Sequence, residues 1–329
     1  MNRKLIGLLS VIVFLLVTAD PDGRVFAAVK SDDGIMNNPK SALPFPIRAA
    51  FYYPWYPEAW NQSGLYPFTR YNPSLGYYSA ENRQVISNQI AAMQYGKIQA
   101  GIASWWGIDH YTDKRIPLLL ETSKNTTFLW VLYVESEGYG DPSVEAIRTD
   151  LTYIRDHYAV SSEYLKIDGK YVVFAYGSDT DNCNMVKRWT DANTIDAYLV
   201  LKIFVGYKKC EQQPDAWHQY SPALSQRQVG TDSYVISPGF ALAGQENIPL
   251  TRDINRWKSD IQAMAASEAN FQLITTFNEW GEGTAVEKAN EWISQSGFGD
   301  YLDALHWDGN DHLNIPEFFS YSRVNRPTR

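Results

Sequence analysis

Short apolar runs alternate with amphipathic stretches from about residue 48 to residue 307, with no internal repeat and no linker. The runs at 49–53, 101–105, 128–135, 171–176, 198–205, 217–220, 234–237 and 272–277 read as strands. Several are apolar almost throughout, as strands covered on both faces must be. Helical periodicity at 82–95, 116–122, 141–158, 185–191, 253–269 and 301–307 separates most of them. Strand and helix in alternation predict a parallel sheet. Eight strands in ~250 residues predict a single (β/α)8 barrel of the TIM type. A doubly wound open sheet is the rival. The chain has no GxGxxG after its first strand, which weakens the nucleotide-binding form of that rival.

The start of the chain has another character. Asn2-Arg3-Lys4 precedes an apolar run from Leu5 to Val17, too short to span a bilayer comfortably. Together they read as a signal peptide, with cleavage after Val17-Thr18-Ala19 or, preferred, Val25-Phe26-Ala27. The expected organisation is a signal peptide at 1–27, a flexible leader at 28–46, a catalytic barrel at 47–310 and a tail at 311–329. A secreted or periplasmic protein follows, with no stable membrane insertion after cleavage. Cys183 and Cys210 are the only cysteines, and in an exported chain they are expected to form a disulfide tying the loops after strands four and five. Two thiols and no HExxH point to no metal and no cofactor. The net charge of −8 lacks the basic footprint that phosphate binding needs, so nucleic acid is not expected as a partner.

In a barrel the C-terminal strand ends form the active face. Here they carry aromatics and carboxylates: Tyr53, Trp55 and Tyr56 after strand one, Trp105 and Trp106 after two, and Glu135 and Glu137 after three. Tyr176 follows strand four and Tyr220 strand six. The chain holds 11 Trp and 22 Tyr, more amphipathic rings than a core needs, and flat rings suit the apolar faces of sugars. His110 reads as a solvated loop residue, and Trp189 and Trp217 as packing.

The sharpest segment is Phe277-Asn278-Glu279-Trp280-Gly281-Glu282-Gly283-Thr284. Two glutamates three apart in a glycine-rich turn can face one cavity. Glycosidic cleavage needs such a pair, one to protonate the leaving oxygen and one to activate the attacking group. Thr284 and Glu287 match a T-x-x-E capping box, so a helix is expected to start there. That would put Glu282 at a helix N-terminus, where the dipole lowers its pKa, whereas a general acid needs it raised.

The segment from Ile274 to Thr284, with Glu287 after it, resembles glycoside hydrolase family 99, the endo-α-mannosidases and endo-α-mannanases. Tyr52-Tyr53-Pro54-Trp55-Tyr56 is similar to that family's first-strand motif, and Glu135 stands where the family has a strand-three Glu. The resemblance implies a (β/α)8 barrel and retaining cleavage of internal α-mannosidic bonds in an oligo- or polysaccharide. It also implies that Glu279 acts as base on the sugar's 2-hydroxyl and Glu282 as acid/base, through a 1,2-anhydro intermediate. Tyr53, Trp55, Trp106, Glu135, Tyr220 and Trp280 are the expected substrate contacts. Gly281 departs from the family, which usually has His there. In that respect the turn is closer to the α-1,3-glucanases of family 71, so an α-glucan hydrolase is the alternative. A catalytically silent glycan-binding barrel is the reading from outside enzymology.

Overall fold

The computed structural model describes residues 42–310. The expected signal peptide, most of the leader and the tail lie outside the described residues. In chain order the elements are β1 (Ile47–Tyr52), α1 (Arg83–Tyr95), β2 (Ala100–Trp105), α2 (Tyr111–Thr122), β3 (Leu129–Val134), α3 (Val144–His157), β4 (Lys166–Ile167) and β5 (Lys170–Ala175). They continue as α4 (Cys183–Ala192), β6 (Tyr198–Lys202), β7 (Ala216–His218), β8 (Gln226–Val229), β9 (Ser233–Ile236), α5 (Ile254–Ala266), β10 (Phe271–Ile274) and α6 (Asp300–His306).

The hydrogen-bonded order is β7-β6-β5-β3-β2-β1-β10-β9, all parallel, with β8 antiparallel on β9 and β4 antiparallel on β5. This is the expected eight-stranded barrel, and the open-sheet rival is excluded. Its seam lies between β7 and β9, where side chains stand in for ladder bonds. Ser233 Oγ donates to the Trp217 carbonyl at 2.9 Å, and Asp232 accepts from the Trp217 N–H at 3.2 Å.

Strand period sorts the core into two layers. Ile47, Ala49 and Phe51 of β1 point inward with Leu129, Val131 and Tyr133 of β3 and Val172 and Phe174 of β5. Ala50, Tyr52, Trp130, Leu132, Val173 and Ala175 point outward under the helices. Each large apolar side chain so buried contributes about 1.5–3 kcal/mol. The helices start where side chains can satisfy their free N–H groups: Asn82 accepts from Gln84 and Val85, Ser143 from Ala146, and Asp253 from Asn255 and Arg256.

Two helices of the ideal (β/α)8 pattern are missing. After β6 the chain makes only a short turn at Tyr207–Lys209, with Gly206 at φ +90° and Pro214 beyond it, and after β7 it forms the β8–β9 hairpin. The Cys183–Cys210 disulfide, with Cα atoms 5.2 Å apart, fastens the helix-less loop to the start of α4. Residues 42–46 of the expected leader are placed against the barrel: Ala42 bridges to Lys166, and Phe45 packs edge-on against Phe271 at 5.4 Å. Among the described residues no helix is long and apolar enough to cross a membrane.

Candidate active site

The segment after β10 folds back on itself. Thr276 and Thr284 bond through both backbone and hydroxyl groups, and Glu287 N–H reaches the Phe277 carbonyl at 2.9 Å. Gly283 sits at φ +69°, and a Cβ there would stand 2.9 Å from the Ala241 carbonyl oxygen, so only glycine fits. Asn278 fixes the turn to the end of β1, accepting from Tyr53 N–H at 2.7 Å and donating to the Tyr53 carbonyl at 3.1 Å. Tyr56 adds a second clamp, donating to the Asn278 carbonyl and accepting from Trp280 N–H, each at 3.1 Å.

The two glutamates of this turn are held differently. Glu279 is buried, and its carboxylate accepts from the backbone N–H groups of Gly281 at 3.2 Å and Glu282 at 2.7 Å. Glu282 is half-buried and accepts from the Tyr220 hydroxyl at 2.8 Å. Burial pushes Glu282 up to about 7, against the opposing effect of Tyr220. Burial and the neighbouring Glu282 charge push Glu279 up as well, against its two N–H donors. Two such carboxyls cannot both ionise freely, because each charge opposes the other in a site with little water. The N–H pair marks Glu279 as the seat of charge when Glu282 is protonated.

The expected helix at Thr284 does not form; residues 284–287 are extended or irregular. Glu287 is no capping residue. It is buried behind the turn and accepts from Tyr78 Oη at 2.7 Å, Gln89 Nε2 at 2.8 Å and Trp280 Nε1 at 3.0 Å. No helix dipole therefore opposes the raised pKa of Glu282. Trp280 also needs correction: it is wholly buried, its indole tied to Glu287 and its ring stacked on Trp292 at 6.1 Å, and it presents no surface to a ligand.

Of the other expected contacts, Tyr220, Tyr53 and Glu135 lie near Glu282, while Trp55 and Trp106 are placed by neighbouring rings. Tyr53 stacks on Trp55 at 4.4 Å, and Tyr220 meets Phe51 edge-on at 5.1 Å. Glu135 ends β3, buried beside Ser104, and burial pushes it up to about 8 with Glu282 adding to the rise. Trp106 lies 4.8 Å from Tyr139, ring to ring, and its indole N–H has no protein partner. Glu137 instead pairs with Arg188 and Trp189. Glu137, Asp141 and Asp181 bring carboxylate oxygens within 4.8 Å of one another, and Arg188 pairs with the first two. His110 caps α2, accepting from Thr112 N–H at 3.3 Å.

Sequence reasoning missed Phe68, which arrives from the long β1–α1 connection. A Cβ on Gly281 would lie 2.6 Å from its ring, so Phe68 fills the space a side chain at 281 would take. That connection has no periodicity to reveal it. A cavity of about 700 Å³ lies at the opposite end of the barrel, between Arg48, Gln99, Gln272 and Asp308. Its single carboxylate, Asp308, is paired with Arg48 and Lys97 and offers no acid–base chemistry.

No protein-family model and no curated protein matches this chain. Solved structures similar to it include the family 99 endo-α-mannosidase of Bacteroides thetaiotaomicron in complex with Bis-Tris propane. That match has a TM-score of 0.62 and 18% identity, covering 81% of this chain and 96% of that one. A second structure of the family 99 endo-α-mannosidase from that organism matches at TM-score 0.60 and 19% identity, covering 81% and 97%. A glycoside hydrolase-like protein matches at TM-score 0.58 and 17% identity, covering 80% and 94%. At these identities the likeness is one of fold, and it agrees with the barrel expected from the sequence.

Proposed function

We propose that this protein is a secreted glycoside hydrolase that cleaves internal α-mannosidic, or similarly α-linked, bonds of a glycan. The observation that carries the reading is the unequal pair in one turn. Glu279 is held by two backbone N–H groups, and Glu282 by the Tyr220 phenol. In this reading Glu282 gives its proton to the leaving oxygen and later activates water. Glu279 takes the proton of the sugar's 2-hydroxyl, whose oxygen attacks the anomeric carbon. The bond to the leaving group breaks as the 1,2-anhydro ring closes, and water then opens that ring with retention. Glu135 adds a third buried carboxyl beside Glu282 that helps keep a proton in the site. Tyr53, Trp55 and Trp106 supply ring faces for sugar.

The second reading, an α-glucan hydrolase, draws on Gly281 and the Phe68 ring packed against it, which leave an apolar wall beside Glu279. A silent binding barrel sits poorly with two intact acids, one buried and one half-buried, whose pKa values are raised, since that arrangement is costly and serves proton transfer. The test is to incubate the protein with a panel of α-mannans and α-glucans. Oligosaccharides released from an α-mannan support the proposal, release from α-glucan alone moves it to the second reading, and no release from any member refutes hydrolysis.

A further inference from the structure

Lys202 closes β6 at the barrel mouth, and its side chain is only 6% exposed. A buried ammonium is expensive unless paired. Its partner is Asp179, 2.7 Å away, on the loop after β5, with a side chain 87% exposed. The ammonium lies 5.5 Å from the centre of the Tyr176 ring. That ring is fixed in turn, because it lies so close over Gly138 that any Cβ there would overlap it. Tyr176 stacks toward the 70%-exposed Tyr139 on one side and meets Tyr220 on the other, the residue that holds Glu282. A fixed cation, an exposed carboxylate and two tyrosine rings thus stand one ring removed from the acid pair.

We infer that Lys202 and Asp179, with Tyr176 and Tyr139, form a sugar-binding subsite next to the reacting sugar and specific for a neutral ring. This rests on the hydrolase reading above and extends it. The ammonium has three donor hydrogens and only one goes to Asp179, while the exposed carboxylate has lone pairs to spare. A donor and an acceptor side by side match two adjacent sugar hydroxyls, and the tyrosine faces match the apolar side of the same ring. Charge decides the class of sugar. Asp179 already neutralises Lys202, and Asp181 stands beside the same lysine around Gly177, so the locus does not favour an anionic sugar.

The experiment compares kcat/KM for neutral oligosaccharides of increasing length in the wild type, Asp179→Asn and Lys202→Met. Asp179→Asn keeps a side-chain oxygen that accepts from the Lys202 ammonium, so it is the milder of the two variants, and the melting temperature of each is compared with wild type before its kinetics are read. The subsite predicts that the advantage of long over short substrates falls at least tenfold in Asp179→Asn, mostly through KM. An equal fall for all lengths, or an unchanged ratio, overturns it. A preference for uronate-bearing over neutral oligosaccharides also overturns it. If the wild type hydrolyses nothing, the hydrolase reading fails, and calorimetry with the same oligosaccharides still decides on the subsite. Tenfold weaker binding to Asp179→Asn sustains it; equal or absent binding removes it.

Discussion

Tyr220 donates its hydroxyl to Oε2 of Glu282 across 2.8 Å. The two residues are brought together from different places, Tyr220 just past β7 and Glu282 in the turn after β10. Thr275 joins the same two segments, its hydroxyl donating to the Tyr220 carbonyl at 2.6 Å. The phenol stabilises the ionised carboxylate, so it opposes the burial that lifts Glu282 to about 7. It sets the acid strength of the group that must give up a proton.

Tyr220→Phe therefore raises the Glu282 pKa, and the alkaline limb of the pH–rate profile moves to higher pH. A hydrogen bond to a charged group is worth about 1.5–3 kcal/mol, so kcat is expected to fall roughly 10- to 100-fold. A limb that stays put or moves to lower pH would show that Glu282 is not the titrating acid.

Glu279→Gln and Glu282→Gln each lose activity by about 10²–10⁴-fold, the usual worth of a general acid or base. Both variants should keep the wild-type melting temperature within a few degrees and still bind glycan. Near-normal turnover in either one removes that residue from the mechanism.

The barrel was legible because strands covered on both faces must be apolar throughout, and local runs record that. Local signals failed where partners are remote. Thr284 and Glu287 imitate a capping box, yet the groups that claim Glu287 are Tyr78, 209 residues away, and Gln89, 198 away. Trp280 stands among the expected sugar contacts, but Glu287 draws its indole inward. Phe68 was invisible because a connection without periodicity gives no sign of what it covers.

Gly281→Ala is expected to destabilise the turn, because its Cβ would meet the Phe68 ring at 2.6 Å. Phe68→Ala in the same chain opens that space and should restore part of the loss. A double-mutant cycle on melting temperature reads the coupling, expected at about 0.5–3 kcal/mol for residues in contact. Strictly additive effects would mean that the ring moves aside freely.

Glu135 and Glu287 are pushed up to about 8 and about 7 by burial, from an ordinary value of 4.5. Between those values the folded chain binds more protons than the unfolded one, so stability falls as pH rises through the window. The melting temperature should decline from about pH 5 to about pH 8, and Glu135→Gln should flatten the slope. A rise over that range would contradict the burial of these carboxyls.

The Cys183–Cys210 bridge closes a loop of 27 residues in sequence separation. On the loop-entropy account it stabilises the fold by about 3.5 kcal/mol. The double Cys→Ser variant should lose about that much free energy of unfolding in a denaturant titration, and the denatured, non-reduced wild type should show no free thiol. Two titrated thiols would rule the bridge out.

The last prediction separates two routes that use the same acids. A covalent glycosyl-enzyme needs a carboxylate directly below the anomeric carbon. The route through the 2-hydroxyl needs that hydroxyl trans to the leaving group, which α-mannosides have and α-glucosides lack. Each oxygen of Glu279 is fixed by one backbone N–H, from Gly281 and from Glu282, and keeps a lone pair for a proton, an arrangement that suits a base held in one place. If it acts on the 2-hydroxyl, substrates with a 2-deoxy or 2-fluoro sugar at the cleaved position do not turn over, and no sugar is trapped on Glu279. The first product formed from an α-mannan then keeps the α configuration. NMR of the anomeric proton early in the reaction measures this directly. An inverted first product would eliminate the 1,2-anhydro route, and Glu279 would instead be the base that activates water.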